Sequence, residues 1–188
     1  MEELVKLSRL ESHMIQIKPE QTKLKYILAE AVGKVFFKAH EKNIAIELKD
    51  EESKSGGEGE ELPSACTIFC DPVWTAEAFA NVLENAVKYS DENTVITVTV
   101  GKLTSFVYVD IEDEGMGIPP QELNSIYKRF YRGKEAQKKV KDGVGVGLYL
   151  TRKVLEEQGG NIAARRRKLG SCFRITLPNE KWNLTKLS

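Results

Sequence analysis

Towards its C-terminal end the chain reads VKDGVGVGLYLTRKVLEEQGG, in which Gly143, Gly145 and Gly147 alternate immediately before a helix-forming run. No other feature restricts the possible folds as much. Residues without a β-carbon at every second position let the backbone turn sharply and leave its N–H groups uncovered. A helix starting there adds its own unpaired N–H groups, so the segment is built to receive phosphate or to act as a flexible hinge. It is not a dinucleotide fingerprint, which needs G-x-G-x-x-G directly after a strand, and the Lys-Ser/Thr pair of a P-loop is missing.

The segments around this run alternate between helical and strand periodicity. Leu7, Leu10, Met14 and Ile17 follow a 3-4-3 spacing that predicts a helix with one apolar seam over the first 17 residues. Pro19 is expected to open a second helix, with Leu24, Ile27, Ala31, Val35 and Ala39 on its core face. Residues 44–48 alternate as a strand, and the acidic, Gly-rich stretch 49–64 reads as a solvated linker loop. A short strand at 66–70 leads to Asp71-Pro72, an N-cap followed by proline at the first helical position, and to a helix over 72–90. Strands at 94–100 and 105–111 form a hairpin around Gly101-Lys102, and a short helix is expected at 121–127. Residues 132–142 read as a basic loop; a helix at 147–158, stopped by Gly159-Gly160, precedes two closing strands in NIAARRR and SCFRITL. The expected class is α+β: a two-layer α/β sandwich whose mixed, mostly antiparallel sheet carries helices on one face.

Composition narrows the function. The 188 residues hold 28 Lys+Arg against 28 Asp+Glu, a formal net charge of zero, which argues against a general nucleic-acid or anionic-membrane binder. No apolar run approaches the roughly 20 residues that span a bilayer, and the N-terminus does not read as a signal peptide. Cys66, Cys70 and Cys172 lack metal spacing and read as reduced thiols of a cytosolic protein; with only His13 and His40 beside them, zinc is not expected.

Three further segments carry chemistry. In FANVLENAVKYS, Phe79, Leu83 and Ala86 share one helix face, and Asn81, Asn85 and Lys88 the opposite one. Two carboxamides and an ammonium suit a hydrated Mg²⁺ with anionic oxygens, although such a face alone is ordinarily just solvated surface. In VDIEDEGMGIPP, a strand delivers Asp113 to a Gly-x-Gly turn, placing a carboxylate that can accept from an exocyclic amine at the rim of a pocket; an ordinary acidic turn is the competing reading. YKRFYRG and Lys134, Lys138, Lys139 and Lys141 then supply cations that would attract a polyphosphate, or simply form a basic loop.

The order of these boxes resembles the ATP-binding catalytic domain of bacterial sensor histidine kinases, in the gyrase/chaperone/histidine-kinase/mismatch-repair ATPase superfamily. The resemblance covers about residues 44–178, and LSRLES before it looks like the end of a kinase dimerisation hairpin. It implies the Bergerat-type fold, three helices on one face of the sheet, with 1–19 a remnant of the dimerisation/phosphoacceptor hairpin, 20–180 the catalytic domain and 181–188 a tail. It implies ATP and Mg²⁺ as cofactors. Asn85 is matched to the metal-binding position, with Asn81 beside it and Lys88 and Tyr89 facing phosphates. Asp113 matches the reader of the adenine amine, with Gly115, Gly117 and Ile118 at its wall. Phe130 matches the aromatic before the lid and Arg132 a phosphate-side cation, while Gly143, Val144, Gly145, Val146, Gly147 and Leu148 match the second glycine box. Residues 132–142 would be an ATP lid that orders around nucleotide. Val144 stands where Thr is common, Gln137 and Lys139 where Arg is, Asp142 where Gly is, and Gln158 where His is.

The implied reaction is transfer of the ATP γ-phosphoryl group to a histidine ring nitrogen. Neither His13 nor His40 has the acidic and proline context of an acceptor, and no residue here is matched to a covalent role. The implied partners are the parent protein's own dimerisation/phosphoacceptor domain, a cognate response regulator and a second copy in a homodimer, with this domain on the cytoplasmic side of a membrane-anchored parent. Two alternatives differ in class. A hydrolytic ATPase or serine kinase of the superfamily usually places a Glu base four residues before the metal Asn, where this chain has Asn81. A degenerate module would bind nucleotide without catalysis.

Overall fold

A computed structural model describes residues 2–12, 16–50 and 66–181. The elements run α1 (Glu2–Glu11), β1 (Glu20–Lys23), α2 (Leu24–Glu41), β2 (Ala45–Asp50), β3 (Thr67–Cys70), α3 (Pro72–Tyr89), β4 (Val95–Lys102), β5 (Phe106–Glu112), a 3-10 turn (Pro120–Glu122), α4 (Lys134–Lys139), α5 (Gly147–Glu157), β6 (Asn161–Arg166) and β7 (Ser171–Pro178). The five-stranded sheet has the order β2-β4-β5-β7-β6; β2 runs parallel to β4 and the other pairs are antiparallel. β1 and β3 form a separate antiparallel pair.

Period-2 alternation in the central strands turns Ile96, Val98, Val100, Val107, Val109, Ile111, Phe173, Ile175 and Leu177 to one face, all at most 4% exposed. Helices α2, α3 and α5 cover that face with Leu24, Ile27, Ala31, Val35, Phe79, Leu83, Leu150 and Val154. The result is the expected two-layer sandwich. On the other face Arg174 lies 4.0 Å over the Tyr108 ring and grips Asp110 through two nitrogens, at 2.7 and 2.6 Å.

Asp71 caps α3 by accepting from the N–H groups of Val73 and Trp74, both at 3.1 Å. Gln158, at the end of α5, accepts from the Asp71 N–H and the Thr75 hydroxyl, so the start of α3 is pinned to α5. Lys42, beyond the end of α2, donates to the carbonyls of Val87 (2.8 Å) and Ser90 (2.6 Å) and fixes the other end of α3.

Several expectations are corrected. The first helix ends at Glu11, and the Lys18 N–H donates to Asp71 instead of continuing a helix; Met14 and His13 lie outside the described residues, as does most of the 49–64 linker and all of the tail from 182. Pro19 opens no helix: residues 20–23 pair with β3, and α2 begins at Leu24. Gly101 is not in the hairpin turn but inside β4 opposite Tyr108, whose ring occupies the space a Cβ would need (2.3 Å). The turn falls at 103–105, closed by Leu103 N–H donating to the Phe106 carbonyl at 2.8 Å. The helix expected at 121–127 is a single 3-10 turn and further turns, and the basic loop contains α4.

α1 lies against the sandwich. Leu7 is 1% exposed, Lys6 pairs with Glu77 at 2.8 Å, and Glu11 accepts from Arg129 at 2.9 Å and from the Tyr149 hydroxyl at 3.4 Å.

Candidate active site

A cleft opens between the C-terminal half of α3, the turn after β5, the start of β7, α4 and the glycine run before α5. Asn81, Asn85 and Lys88 line it because α3 buries Phe79, Leu83 and Ala86 on the opposite face. Asn81 is oriented by a 3.4 Å hydrogen bond to Thr151 on α5. Tyr89 also lines the cleft, with the Lys88 ammonium 5.8 Å from its ring centroid.

At the floor, Asp113 follows β5 and is 4% exposed. Its Oδ1 accepts the N–H groups of Gly115 (2.8 Å) and Ser171 (3.3 Å), and its Oδ2 accepts the Ser171 hydroxyl (2.5 Å). A carboxylate offers about four acceptor positions, so roughly one remains for a donor within the cleft. Close backbone packing holds this floor. A Cβ on Gly170 (φ +75°) would lie 1.9 Å from the Asp113 carbonyl, and one on Gly115 would lie 2.7 Å from the Tyr89 carbonyl.

At the other end, Gly143, Val144, Gly145, Gly147 and Leu148 line the cleft. Gly143 (φ +141°) and Gly145 (φ +76°) have conformations that side chains resist. A Cβ at Gly143 would approach the Lys88 Nζ to 2.9 Å and one at Gly145 the Tyr131 carbonyl to 2.7 Å. Val146 at the N-cap of α5 supplies no side-chain acceptor and the first turn carries no acid, so the initial N–H groups of α5 remain an anion-binding feature.

Most of the matched residues therefore meet in one cleft, Gly117, Ile118 and Arg132 included. Gly115, Phe130 and Val146 are not on its wall. Gly115 donates its N–H to Asp113, and Val146, at the N-cap of α5, is fully buried. Phe130 (φ +62°) is 55% exposed under the Arg129 guanidinium, 5.0 Å from its ring. The sequence reading missed Glu84, Glu122, Tyr131, Ser171 and Phe173, all of which line the cleft. Glu84 is the direct neighbour of Asn85 and pairs with Lys38. Ser171 carries no local signal, since its partner is 58 positions away. Burial and then the Glu122 charge raise the Tyr131 phenol above its ordinary pKa. Burial, reinforced by Lys139, lowers that of Lys42.

The donor set suits an adenine nucleotide with Mg²⁺. Among the described residues no three His, Cys, Asp or Glu side chains cluster to hold a metal, but Mg²⁺ needs few protein oxygens when phosphates complete its shell, and the Asn85 carboxamide is such an oxygen.

Residues 70–181, more than half of the chain, match the family described as Histidine kinase-, DNA gyrase B-, and HSP90-like ATPase. The chain belongs to this family. Within this ATPase family it is 29% identical to the sensor histidine kinase CusS of Escherichia coli K12 over 188 residues, covering 95% of this chain but 36% of CusS. The chain thus spans about a third of that relative's length. Its fold matches full-length ShkA, solved in complex with AMPPNP, with a TM-score of 0.73, 22% identity and coverage of 94% of this chain and 34% of ShkA. It also matches histidine kinase ThkA, solved in complex with the response regulator protein TrrA, with a TM-score of 0.71, 19% identity and coverage of 94% and 47%. The family is ATP-binding, and the sandwich described above is the histidine-kinase catalytic fold.

Proposed function

We propose that this chain is the catalytic part of a two-component sensor histidine kinase, which binds Mg²⁺–ATP in the cleft and passes the γ-phosphoryl group to a histidine on a dimerisation segment. One observation carries the reading: a carboxylate with a spare acceptor, Asp113, shares a cleft with the Asn81–Asn85–Lys88 face and the uncapped start of α5. Asp113 accepts the adenine amine; Lys88 and the first N–H groups of α5 hold the phosphates. Asn85 would hold Mg²⁺, which when bound supplies charge neutralisation to the phosphate oxygens. The bond between the γ-phosphorus and the β–γ bridging oxygen breaks, a bond to the acceptor ring nitrogen forms, and ADP leaves. This chain's contribution is positioning and electrostatic stabilisation.

His40 lies at the end of α2 with its ring 6.2 Å from that of Phe36, and it lacks the proline context of an acceptor. In this reading the acceptor lies on a dimerisation segment, and α1 resembles the last part of such a segment. ThkA, a histidine kinase solved in complex with the response regulator protein TrrA, supports a response regulator as partner; a homodimer and a cytoplasmic placement rest on the family resemblance alone. No helix among the described residues is long and apolar enough to cross a membrane.

Fluorescent-nucleotide titration tests the adenine role. Asp113→Asn is expected to weaken binding by about tenfold to a hundredfold, the range of a hydrogen bond to a charged group; equal binding by the two proteins removes that role. Mixed with the dimerisation hairpin, the chain should place acid-labile phosphate on it, and Asn85→Ala should abolish the label. Label that survives the change defeats the metal assignment.

A further inference from the structure

We propose that the outer face of α2 is a docking surface for a second copy of this chain, with the two α2 helices packed antiparallel. α2 carries two rows. One faces the sheet. The other, Tyr26, Ala29, Gly33, Phe36 and His40, repeats at intervals of 3, 4, 3 and 4 along the solvent side and is exposed throughout. That spacing is the seam by which one helix packs against another. Tyr26, Phe36 and the adjacent Phe37 are 61, 54 and 78% exposed, and the Phe36 ring centroid lies 5.7 Å from that of Phe37 and 6.2 Å from that of His40. Single exposed apolar residues are ordinary, but aromatics gathered on one helix row mark a binding face.

Gly33 identifies the occupant as a closely approaching helix. It stands mid-row in an 18-residue helix, where glycine is among the weakest helix formers. A Cβ there would meet nothing within 4 Å, so no packing among the described residues asks for its absence. A second helix crossing at Gly33 does ask for it, because a missing side chain lets two helix axes come close. α2 itself has the complementary shape. Run antiparallel, Phe36 of each copy enters the space above Gly33 of the other, and Ala29 meets His40. Two-fold symmetry makes each of these contacts twice. Charge selects the direction: an antiparallel pair brings Lys25, at the start of one α2, to the same end as Glu41 of the other, whereas a parallel pair sets Lys25 beside Lys25 and Glu41 beside Glu41. One helix face per copy is a small interface, so the expected association is weak, with a Kd on the order of 10–100 µM. None of the row lines the cleft, and the inference stands apart from the nucleotide reading.

Sedimentation equilibrium of the chain from about 5 to about 500 µM tests it, and wild type should pass from monomer to dimer over that range. At the high concentration, amide hydrogen exchange should slow in residues 26–40 and stay unchanged in 171–178. Gly33→Gln and Phe36→Ser should each weaken association by about a hundredfold, roughly tenfold for each of the two symmetric contacts. Glutamine is a better helix former than glycine, so Gly33→Gln should also raise the melting temperature of the dilute monomer, which separates lost docking from lost folding. Leu169→Ser, at an exposed apolar position between β6 and β7, should leave association unchanged. A wild type that stays monomeric throughout overturns the proposal and leaves the face to another occupant. So does a dimer that survives Gly33→Gln, one that Leu169→Ser dissolves equally, or one whose protection falls outside α2.

Discussion

The side chains of Asp113 at the floor of the cleft and of Arg132 at the root of its lid each make three hydrogen bonds, yet their surroundings are opposite. Asp113 is 4% exposed, receives its bonds from Gly115 and Ser171, and sits where Gly170 and Gly115 leave no space for a β-carbon. Arg132 gives its bonds to carbonyls of a segment whose helix, α4, buries nothing. The floor is held by the sheet, because β5 and β7 are paired along their length and Asp113 and Ser171 continue that ladder. The lid's hydrogen bonds are mostly polar links near its surface, for which water competes. Under the proposed nucleotide reading the difference fits a division of labour: recognition of a base needs one fixed acceptor, whereas phosphates must be let in and released, which favours a low-stability element.

The largest expected effect breaks the floor. Gly170→Ala puts a methyl group 1.9 Å from the Asp113 carbonyl at φ +75°. It should cost on the order of 3 kcal/mol in thermal or denaturant unfolding and abolish nucleotide binding. A variant with unchanged melting temperature would show that the floor yields as readily as the lid.

A smaller effect loosens the body beneath both regions. Burial pushes the Glu77 carboxyl pKa up, but hydrogen bonds from Lys34 and Lys6 outweigh it, and the net shift is below the usual 4.5. The Lys34 shift agrees: burial opposes it, yet Glu77 raises the ammonium. A carboxylate whose folded pKa is depressed contributes stability that is present above its unfolded value and lost as pH falls through the folded one. Glu77→Gln is therefore expected to destabilise by about 0.5 kcal/mol at neutral pH, after screening of a partly exposed group. The gap from wild type should close as pH drops below about 4. A difference that stays constant with pH would assign the effect to packing.

The smallest effect touches only the lid. Asp91 is fully exposed and the Lys139 ammonium lowers its pKa first by a hydrogen bond and then by charge. Asp91→Asn should leave the melting temperature unchanged and speed lid exchange by about a fewfold, a difference that fades at roughly 1 M salt. An equal slowing or speeding at the floor would erase the contrast between the two regions.

Much of the sandwich was legible locally. The Asp71-Pro72 cap, the opposed faces of α3 and the apolar rows of α2 and β4 each declare themselves within a few residues of chain, because capping, helical period and strand alternation are short-range effects. Errors fell where a distant partner overruled a local preference. Residues 20–23 extend because β3 is there to pair with, and Gly101 stays in a strand because the Tyr108 ring fills its empty side. Phe130 lies in an aromatic-basic segment that suggests a wall of the site, but its left-handed backbone carries it into solvent.

Residue order alone determined that this chain would carry a carboxylate, a carboxamide–ammonium helix face and a glycine run leading into a helix, since each is a pattern of nearest neighbours. The tertiary structure decided what those groups can do. Ser171 orients Asp113 across 58 positions, Gln158 joins α5 to the cap of α3 across 87, and Arg132 spends its donors on carbonyls 8 to 11 residues on. Those contacts exist only once the sheet has brought separate segments within hydrogen-bonding reach, and hydrogen-bond geometry at that distance leaves no trace in local sequence pattern.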